Sequence, residues 1–246
     1  MDTTDLKTRM NTKVQALSER EPDASQYLAL TGSALELIQE NLKHQPLSFQ
    51  LFDMVKSPSG GSTVFSVPGL SGEEAEKELT GIILDYTTPR AYWATSDPVE
   101  GMPPTCLSKD SLISEDGKAC AHCPFNDFGS KDGDSPAKAC KESVLLFPLR
   151  PGSVFPLLVR VPVTSKKLFL KYATRLLSRM TPLSSVVTRI TLEKATSREG
   201  KPYALFHFDA VQILDQETAA KAREFGKQFM EFVNAADVEP VFTQAS

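Results

Sequence analysis

Histidine and cysteine are scarce in this sequence, and their scarcity limits the kinds of site it can build. The 246-residue chain has three histidines and four cysteines, and it contains no G-x-x-x-x-G-K-[S/T], H-E-x-x-H or G-x-S-x-G motif. Asp85, Asp209 and Asp215 are candidates for a metal-dependent nuclease site, but no spacing singles them out. We therefore expect a binding protein and not an enzyme.

Long apolar runs are also lacking. The longest candidates, such as residues 144–149, have the length of a strand, whereas a membrane span needs about 18 or more apolar residues. The sequence does not open with a signal peptide, which would have a positively charged region, an apolar region and a small-residue cleavage site. Because 41% of the residues are hydrophobic, enough for a core, we expect a soluble cytoplasmic protein without a membrane partner.

The four cysteines are confined to one short stretch with the spacing C-x13-C-x2-C-x16-C. A C-x-x-C pair supplies two ligands from one turn, and two flanking cysteines complete the tetrahedral shell that Zn²⁺ prefers. Glycine and proline make the stretch turn-rich and too polar to form its own core, so a metal ion would serve as that core. Four protein ligands leave no open position for water, which predicts a structural zinc site. The predicted ligands are Cys106, Cys120, Cys123 and Cys140.

Two other uses of the cysteines stay open. Disulfides need an oxidising compartment, which the missing signal peptide disfavours. A four-cysteine iron–sulfur cluster uses the same ligands and is not excluded by the spacing. His122 lies inside the C-x-x-C turn and can replace one thiolate, although the cysteines already complete the shell.

The distribution of charge is uneven. The whole chain carries −4, but residues 141–201 contain twelve Lys or Arg and three Glu, which makes that segment +9 and the remainder −13. An acidic average therefore does not exclude an anionic partner for one part of the surface.

Apolar periodicity divides the chain into three parts. Residues 1–56 are predicted to form a helical N-terminal extension that serves packing or oligomerisation, and residues 237–246 a loose tail. Between them, strands are expected at 62–68, 79–88, 90–95, 144–149, 155–161, 185–194 and 203–214. Residues 79–88 and 90–95 are expected to form one hairpin, and 144–149 and 155–161 another. The cysteine insert occupies 104–142, one helix begins at 164 or 165 and runs to about 180, and a C-terminal helix covers 215–234.

The order of these elements is that of an oligonucleotide-binding (OB) fold with a helix between its third and fourth main strands. Further features are a Pro-Ser-Gly-Gly loop at 58–61, Ala-Tyr-Trp at 91–93 and Cys-Pro-Phe-Asn-Asp-Phe-Gly-Ser at 123–130. With them, most of the chain beyond residue 45 resembles zinc-containing OB-fold single-stranded-DNA-binding proteins of phages and mobile elements, and the zinc-bearing barrel resembles the C-terminal domain of the replication protein A large subunit. Residues 57–236 are the predicted barrel domain. The resemblance implies an α+β protein with an OB-like antiparallel barrel, and a phage protein that acts in the host cytoplasm.

Binding of single-stranded DNA needs cations for phosphates and flat rings for bases. Tyr92, Trp93 and Tyr203 are the candidate stacking residues; adjacent positions on a strand point to opposite faces, so either Tyr92 or Trp93 should be exposed. Cations recur every fourth residue from 167 to 179, a row of one sign whose neighbours repel each other. The predicted phosphate contacts are Lys166, Lys167, Lys171, Arg175, Arg179, Arg189 and Lys194.

The leading hypothesis is a zinc-stabilised protein that coats single-stranded DNA without much sequence preference during replication or recombination, with replication or recombination proteins as further partners. The main rival is a zinc-stabilised protein-interaction module of a replication or transcription complex, in which the basic row only balances charge. A third possibility is an iron–sulfur nuclease or primase subunit, which would be brown in solution.

Overall fold

The structure is a computed structural model of the whole chain. It describes residues 26–31, 34–43, 51–55, 57–95, 102–131, 136–197 and 200–235. The first 25 residues of the predicted N-terminal extension and the predicted tail at 237–246 lie outside the described residues.

The described residues contain eleven strands and three α-helices, which confirms the expected α+β class. The strands are β1 (Met54–Val55), β2 (Phe65–Gly69), β3 (Gly72–Glu76), β4 (Glu78–Thr87), β5 (Arg90–Tyr92), β6 (Cys106–Ser108), β7 (Lys141–Glu142), β8 (Val144–Leu149), β9 (Leu158–Val161), β10 (Val186–Thr196) and β11 (Pro202–Ile213). The helices are α1 (Ala34–Leu42), α2 (Val163–Leu177) and α3 (Gln216–Ala235). In the part of the chain that the structure describes, no helix is long and apolar enough to cross a membrane.

Six strands form the main sheet, in the order β1-β9-β8-β4-β10-β11. β1 runs parallel to β9, and the other neighbours are antiparallel, so the sheet is mixed. β2 and β3 form a separate hairpin, and β5 lies between β6 and β7 in a three-stranded sheet. The predicted pairing of 144–149 with 155–161 is confirmed by β8 and β9.

The described strands do not close into a barrel, in contrast to the expected OB-like architecture. The physical reason is visible in β8, where all six residues are buried. A barrel strand buries its inward side chains alone, whereas β8 sends Val144 and Leu146 into one core and Leu145 and Phe147 into another. A sheet that is apolar on both faces needs a covering layer on each face.

Helices cover both faces of the main sheet. α2 and the β2–β3 hairpin pack on one face, where Phe169 and Phe65 meet the aromatic side chains of β11. α3 packs on the opposite face with Tyr27, Leu30 and Ala34, and there Phe225 and Phe229 line two further clusters. The result is a three-layer arrangement in which the outer side of α2 is left facing solvent.

The helices lie close to their predicted positions. α2 begins after Pro162 and α3 after Asp215. The Asp215 carboxylate accepts hydrogen bonds from the backbone N–H and the hydroxyl of Thr218, at 2.9 and 2.6 Å. This is an N-cap that satisfies otherwise unpaired helix donors, and the cap is why the sequence predicted the helix start well.

The prediction that 90–95 pairs with 79–88 is wrong. β4 pairs with β8 and β10 in the main sheet, whereas β5 pairs with β6 and β7 at the two ends of the cysteine insert. β5 therefore belongs to the base of the insert, because partners that flank the insert on both sides bring it there.

Candidate metal centre and cation surface

Residues 104–142, here called the cysteine module, have almost no apolar core. Its described buried residues are Leu107, Ser108, Ser114 and Cys120. Leu112, Ile113 and Phe128 are exposed instead. The module therefore lacks the burial that stabilises the main sheet, as the sequence led us to expect.

Local hydrogen bonds shape the loops of the module. The Ser108 hydroxyl donates to the carbonyl oxygen of Ile113 at 2.7 Å, and Asp110 accepts from the N–H of Leu112 at 2.8 Å. The N–H of Cys120 donates to Leu112, and that of Cys140 donates to the carbonyl oxygen of Phe125 at 2.8 Å. These contacts close the turns between the cysteines.

All four cysteines line one small cavity of about 20 Å³. None of them forms a disulfide. A space of this size is comparable with that needed by one water molecule or ion. The remaining lining residues come from β5, β6 and the loop after the C-x-x-C turn: Arg90, Tyr92, Leu107, Ser108, Phe125 and Asn126.

The thiols share this cavity without forming a ligand set. In the described ranges, no three or more His, Cys, Asp or Glu side chains are grouped so that they could hold a metal ion. The fold thus gathers the four cysteines around one cavity. The four soft thiol donors nevertheless fit Zn²⁺ in kind and number.

Electrostatics at the cavity oppose four free thiolates. Burial raises the pKa of Cys140 to about 11; the Arg90 guanidinium lowers it, and the other three cysteines raise it. Burial also raises the pKa of Cys106, and Asp116 and two neighbouring thiols add to that rise. A bound divalent cation would reverse this balance, since it favours the thiolate form of its ligands.

Arg90 connects the cavity to the cation-rich part of the surface. Its side chain is only 10% exposed, and its Nη2 lies 3.6 Å from Glu142 Oε2. Glu142 Oε1 also contacts the ammonium group of Lys166 in α2. The Arg90 Nε is buried and has no hydrogen-bond partner among the described residues.

The predicted cations of α2, together with Arg179 in the turn that follows its end at Leu177, divide into a paired residue and an exposed row. Lys166 is half-buried and bound to Glu142, whereas Lys167, Lys171, Arg175 and Arg179 are exposed. We call these four residues the cation row. Across the described part of the chain, none of the four has an acidic side chain within ion-pair distance.

The buried side of α2 fixes the direction in which the cation row faces. The Tyr172 hydroxyl lies 2.7 Å from the Thr188 hydroxyl of β10, and the N–H of Phe206 in β11 donates to the Ser165 hydroxyl at 3.0 Å. Phe169 and Leu176 fill the core beneath the helix. The cations therefore lie on the opposite, outward face.

The other predicted phosphate contacts lie on the β10–β11 hairpin. Arg189 is half-buried, with its Nη2 3.9 Å from Asp209 Oδ2. Lys194 is exposed, and its stem lies close to Gly61, as does the backbone of Tyr203. His207 Nε2 lies 2.8 Å from Glu193 Oε2, off the angle of a hydrogen bond. Arg189, Glu193, His207 and Asp209 share one face of the hairpin, which carries both signs of charge, whereas strand alternation places Lys194 on the opposite face.

Tyr92 and Trp93 are half-buried and in contact with other side chains. Tyr92 stacks on Phe125, with centroids 3.9 Å apart and planes 13° from parallel. The Trp93 indole N–H donates to the carbonyl oxygen of Met102 at 3.0 Å, and Lys141 lies 5.3 Å from its ring centre. Each ring therefore has one side taken by a contact within the chain.

Phe128 is an exposed aromatic residue that the sequence reasoning missed. It is 84% exposed, and the ammonium group of Lys138 lies 4.7 Å from its ring centre. It occurs in the loop after Cys123, where glycine and proline indicate turns. The occurrence of an aromatic residue in such a polar loop was the signal in the sequence that Phe128 would be exposed.

No protein-family model, curated protein or solved structure matches this chain. The interpretation of the cysteine cavity and the cation row therefore depends on their chemistry alone.

Proposed function

We propose that this protein binds single-stranded DNA, with little sequence preference, during replication or recombination. The observation that carries the proposal is the cation row on and just after α2, which is exposed and lacks acidic partners among the described residues. A helix that lies on a sheet can track a phosphate backbone, so the proposal does not need a closed OB barrel. The proposed role is binding, without catalysis.

Electrostatics support an anionic ligand for the cation row. Residues four apart on a helix are about 6 Å apart along its axis, and neighbours of like charge repel by a few tenths of a kcal/mol per pair. Within a protein this repulsion is usually removed by interleaved acids. Phosphates would remove it here and release counterions from the DNA, which makes binding sensitive to salt.

Aromatic side chains supply the second requirement of single-strand binding. The exposed ring of Phe128, with Lys138 beside it, presents a flat apolar face to solvent. Tyr203 is a further half-buried candidate. Each base that stacks on such a ring contributes about 1–3 kcal/mol.

We further propose that Cys106, Cys120, Cys123 and Cys140 hold a structural Zn²⁺ ion. The shared cavity, the absence of disulfides between these four residues and the lack of a local apolar core support this assignment. The ion supplies the cross-link between loops that burial supplies elsewhere in the molecule.

A protein partner is the second candidate function. Apolar side chains are exposed on and just after α2: Leu177 is 70% exposed and Met180 88%. A basic helix with exposed apolar residues also suits an acidic, amphipathic peptide. In that case apolar contacts would persist when salt screens the charges.

Fluorescence anisotropy of a labelled oligo-dT, titrated with the zinc-loaded protein at low and moderate salt, tests the proposal. We expect tight binding at low salt and a steep loss at moderate salt. The double variant Lys171→Glu, Arg175→Glu should weaken binding at least tenfold. Arg223→Glu, Lys227→Glu is the matched control, because it reverses two exposed cations, also four residues apart, on α3.

Three outcomes would contradict the proposal. These are no binding at low salt, binding that is independent of salt, and an equal loss in the two double variants. The second outcome, observed with an acidic peptide in place of DNA, would favour the protein-interaction module.

A further inference from the structure

A buried cation with an unsatisfied donor is costly unless an anion faces it. Arg90 is one-tenth exposed, and its Nε has no hydrogen-bond partner among the described residues. Burying such a group without compensation costs several kcal/mol. An anion in addition to the Glu142 carboxylate, which Arg90 already contacts, would therefore stabilise the buried guanidinium.

Glu142 does not neutralise Arg90 by itself, because it is shared. One oxygen of Glu142 faces Arg90 at 3.6 Å, and the other contacts Lys166. Two cations around one carboxylate leave one positive charge in excess. All three side chains are at least 70% buried, so solvent screens this excess only in part.

The same arginine also borders the cysteine cavity. Arg90 lines that cavity together with all four thiols. Four thiolates around Zn²⁺ leave two negative charges in excess. The excess positive charge at Arg90 and Lys166 and the excess negative charge of such a site thus have opposite signs and lie close together.

We propose that Arg90 is a positioning residue of the metal site: its buried guanidinium compensates the charge of the cysteine thiolates, because Glu142, which Lys166 also contacts, neutralises it only in part. The inference rests on the proposed zinc site and does not depend on DNA binding. Outer-shell partners of this kind typically change metal affinity by about 10- to 100-fold when they are removed.

Zinc affinity, measured by competition with a chromogenic chelator, tests the role of Arg90. Arg90→Met keeps an unbranched apolar stem and removes the guanidinium charge, so it should weaken zinc binding about 10- to 100-fold. Arg90→Lys should recover part of the loss. Arg150→Met is the matched control; it removes an arginine that pairs with Glu76 at 2.8 Å elsewhere on the surface, and it should bind zinc as the parent does.

Glu142→Gln separates a charge effect from a packing effect. If Arg90 acts through its charge on the thiolates, removal of the competing carboxylate leaves zinc binding as tight as in the parent or tighter. If the Arg90–Glu142 pair only holds the loops in place, Glu142→Gln should weaken zinc binding as Arg90→Met does, and the proposal is then wrong. The Co²⁺-substituted variants should keep the absorption spectrum of tetrahedral thiolate coordination.

Failure of this inference can be told from failure of the zinc assignment. A parent protein that binds zinc at one equivalent, with an unchanged affinity in Arg90→Met, would overturn the role of Arg90 alone. A parent protein that binds no zinc would overturn both.

Discussion

β8 and the cysteine module are neighbours in the sequence, and they differ in how much apolar surface they bury. All six residues of β8 are buried, and their side chains pack into cores on both faces of the sheet. Among the described residues of the module, only Leu107 and Cys120 are buried and apolar. One region is stabilised by apolar burial, whereas the other depends on turn hydrogen bonds and, in our proposal, on a metal ion.

This difference explains where the candidate functional groups lie. The sheet and its helices form a rigid support, and α2 presents cations on its outer face. The module can expose Phe128, because a metal-bound loop does not need its apolar side chains for a core. The Arg90–Glu142–Lys166 contacts join the two regions.

The largest expected effect is the loss of one thiolate. Cys123→Ser should reduce zinc content from one equivalent to near zero and remove the slow hydrogen exchange of amides at 104–142. Amides of β8 should exchange at nearly the parental rate, since apolar burial protects them. Zinc analysis and exchange mass spectrometry measure both; unchanged zinc content, or equal loss of protection in β8, would break the comparison.

The reverse experiment is a cavity in the core beneath α2. Phe169 is fully buried, with the rings of Tyr86 and Phe208 at 4.9 and 5.4 Å. Phe169→Ala should lower the free energy of unfolding by about 3–5 kcal/mol, as measured by urea denaturation. The folded variant should still bind one zinc ion. Loss of zinc from the folded variant would mean that the two regions are not independent.

Phe128 should affect binding without affecting stability. Phe128→Ala removes an exposed ring, so we expect an unchanged Tm and a loss of oligo-dT affinity of about 1–3 kcal/mol. Leu70→Ala is the control, because Leu70 is a fully exposed apolar residue next to the β2–β3 hairpin. Equal affinities of Phe128→Ala and the parent would remove Phe128 from the DNA surface.

The smallest effect is expected at the cap of α3. Hydrogen bonds from the Thr218 hydroxyl and N–H lower the pKa of Asp215. A carboxylate with a lowered pKa in the folded state stabilises the protein above its unfolded pKa of about 3.9, and this contribution is lost as pH falls through the folded pKa. Asp215→Ala should therefore lower Tm slightly at pH 7, and the difference should shrink in acid. A difference in Tm that is constant with pH would contradict the assignment.

The sequence predicted local features better than long-range ones. The span of α3 followed from the Asp215 cap and periodicity, whereas that of α2 followed from periodicity alone, since it begins after Pro162 without a side-chain cap and not at the predicted Thr164 or Ser165. The pairing of β8 with β9 followed from two apolar runs that flank a Pro-Gly turn signal at 151–152. The prediction of a barrel was wrong, because the order of strands in the sheet depends on long-range pairing. β1, for example, pairs with β9 across a separation of about one hundred residues, and such pairing leaves no local pattern in the sequence. The unbroken apolar run of β8 was a signal for a sheet covered on both faces.

The candidate site shows the same division. The spacing of the cysteines and of the cation row could be read directly from the sequence, because both patterns are local. The contacts of Tyr92 with Phe125 and of Trp93 with Met102 depend on how the loops of the module fold back on β5. The role that we propose for Arg90 depends on three segments meeting at one cavity, which no spacing reveals.

The salt dependence of oligo-dT binding tests the central claim most directly. Each phosphate contact to a single strand contributes about 0.7 to the slope of log K against log salt. Removal of two cations by Lys171→Ala, Arg175→Ala should therefore reduce the magnitude of the slope by about 1.4, whereas Arg223→Ala, Lys227→Ala should leave it unchanged. Equal slopes for the parent and the Lys171→Ala, Arg175→Ala variant would contradict phosphate binding by the cation row.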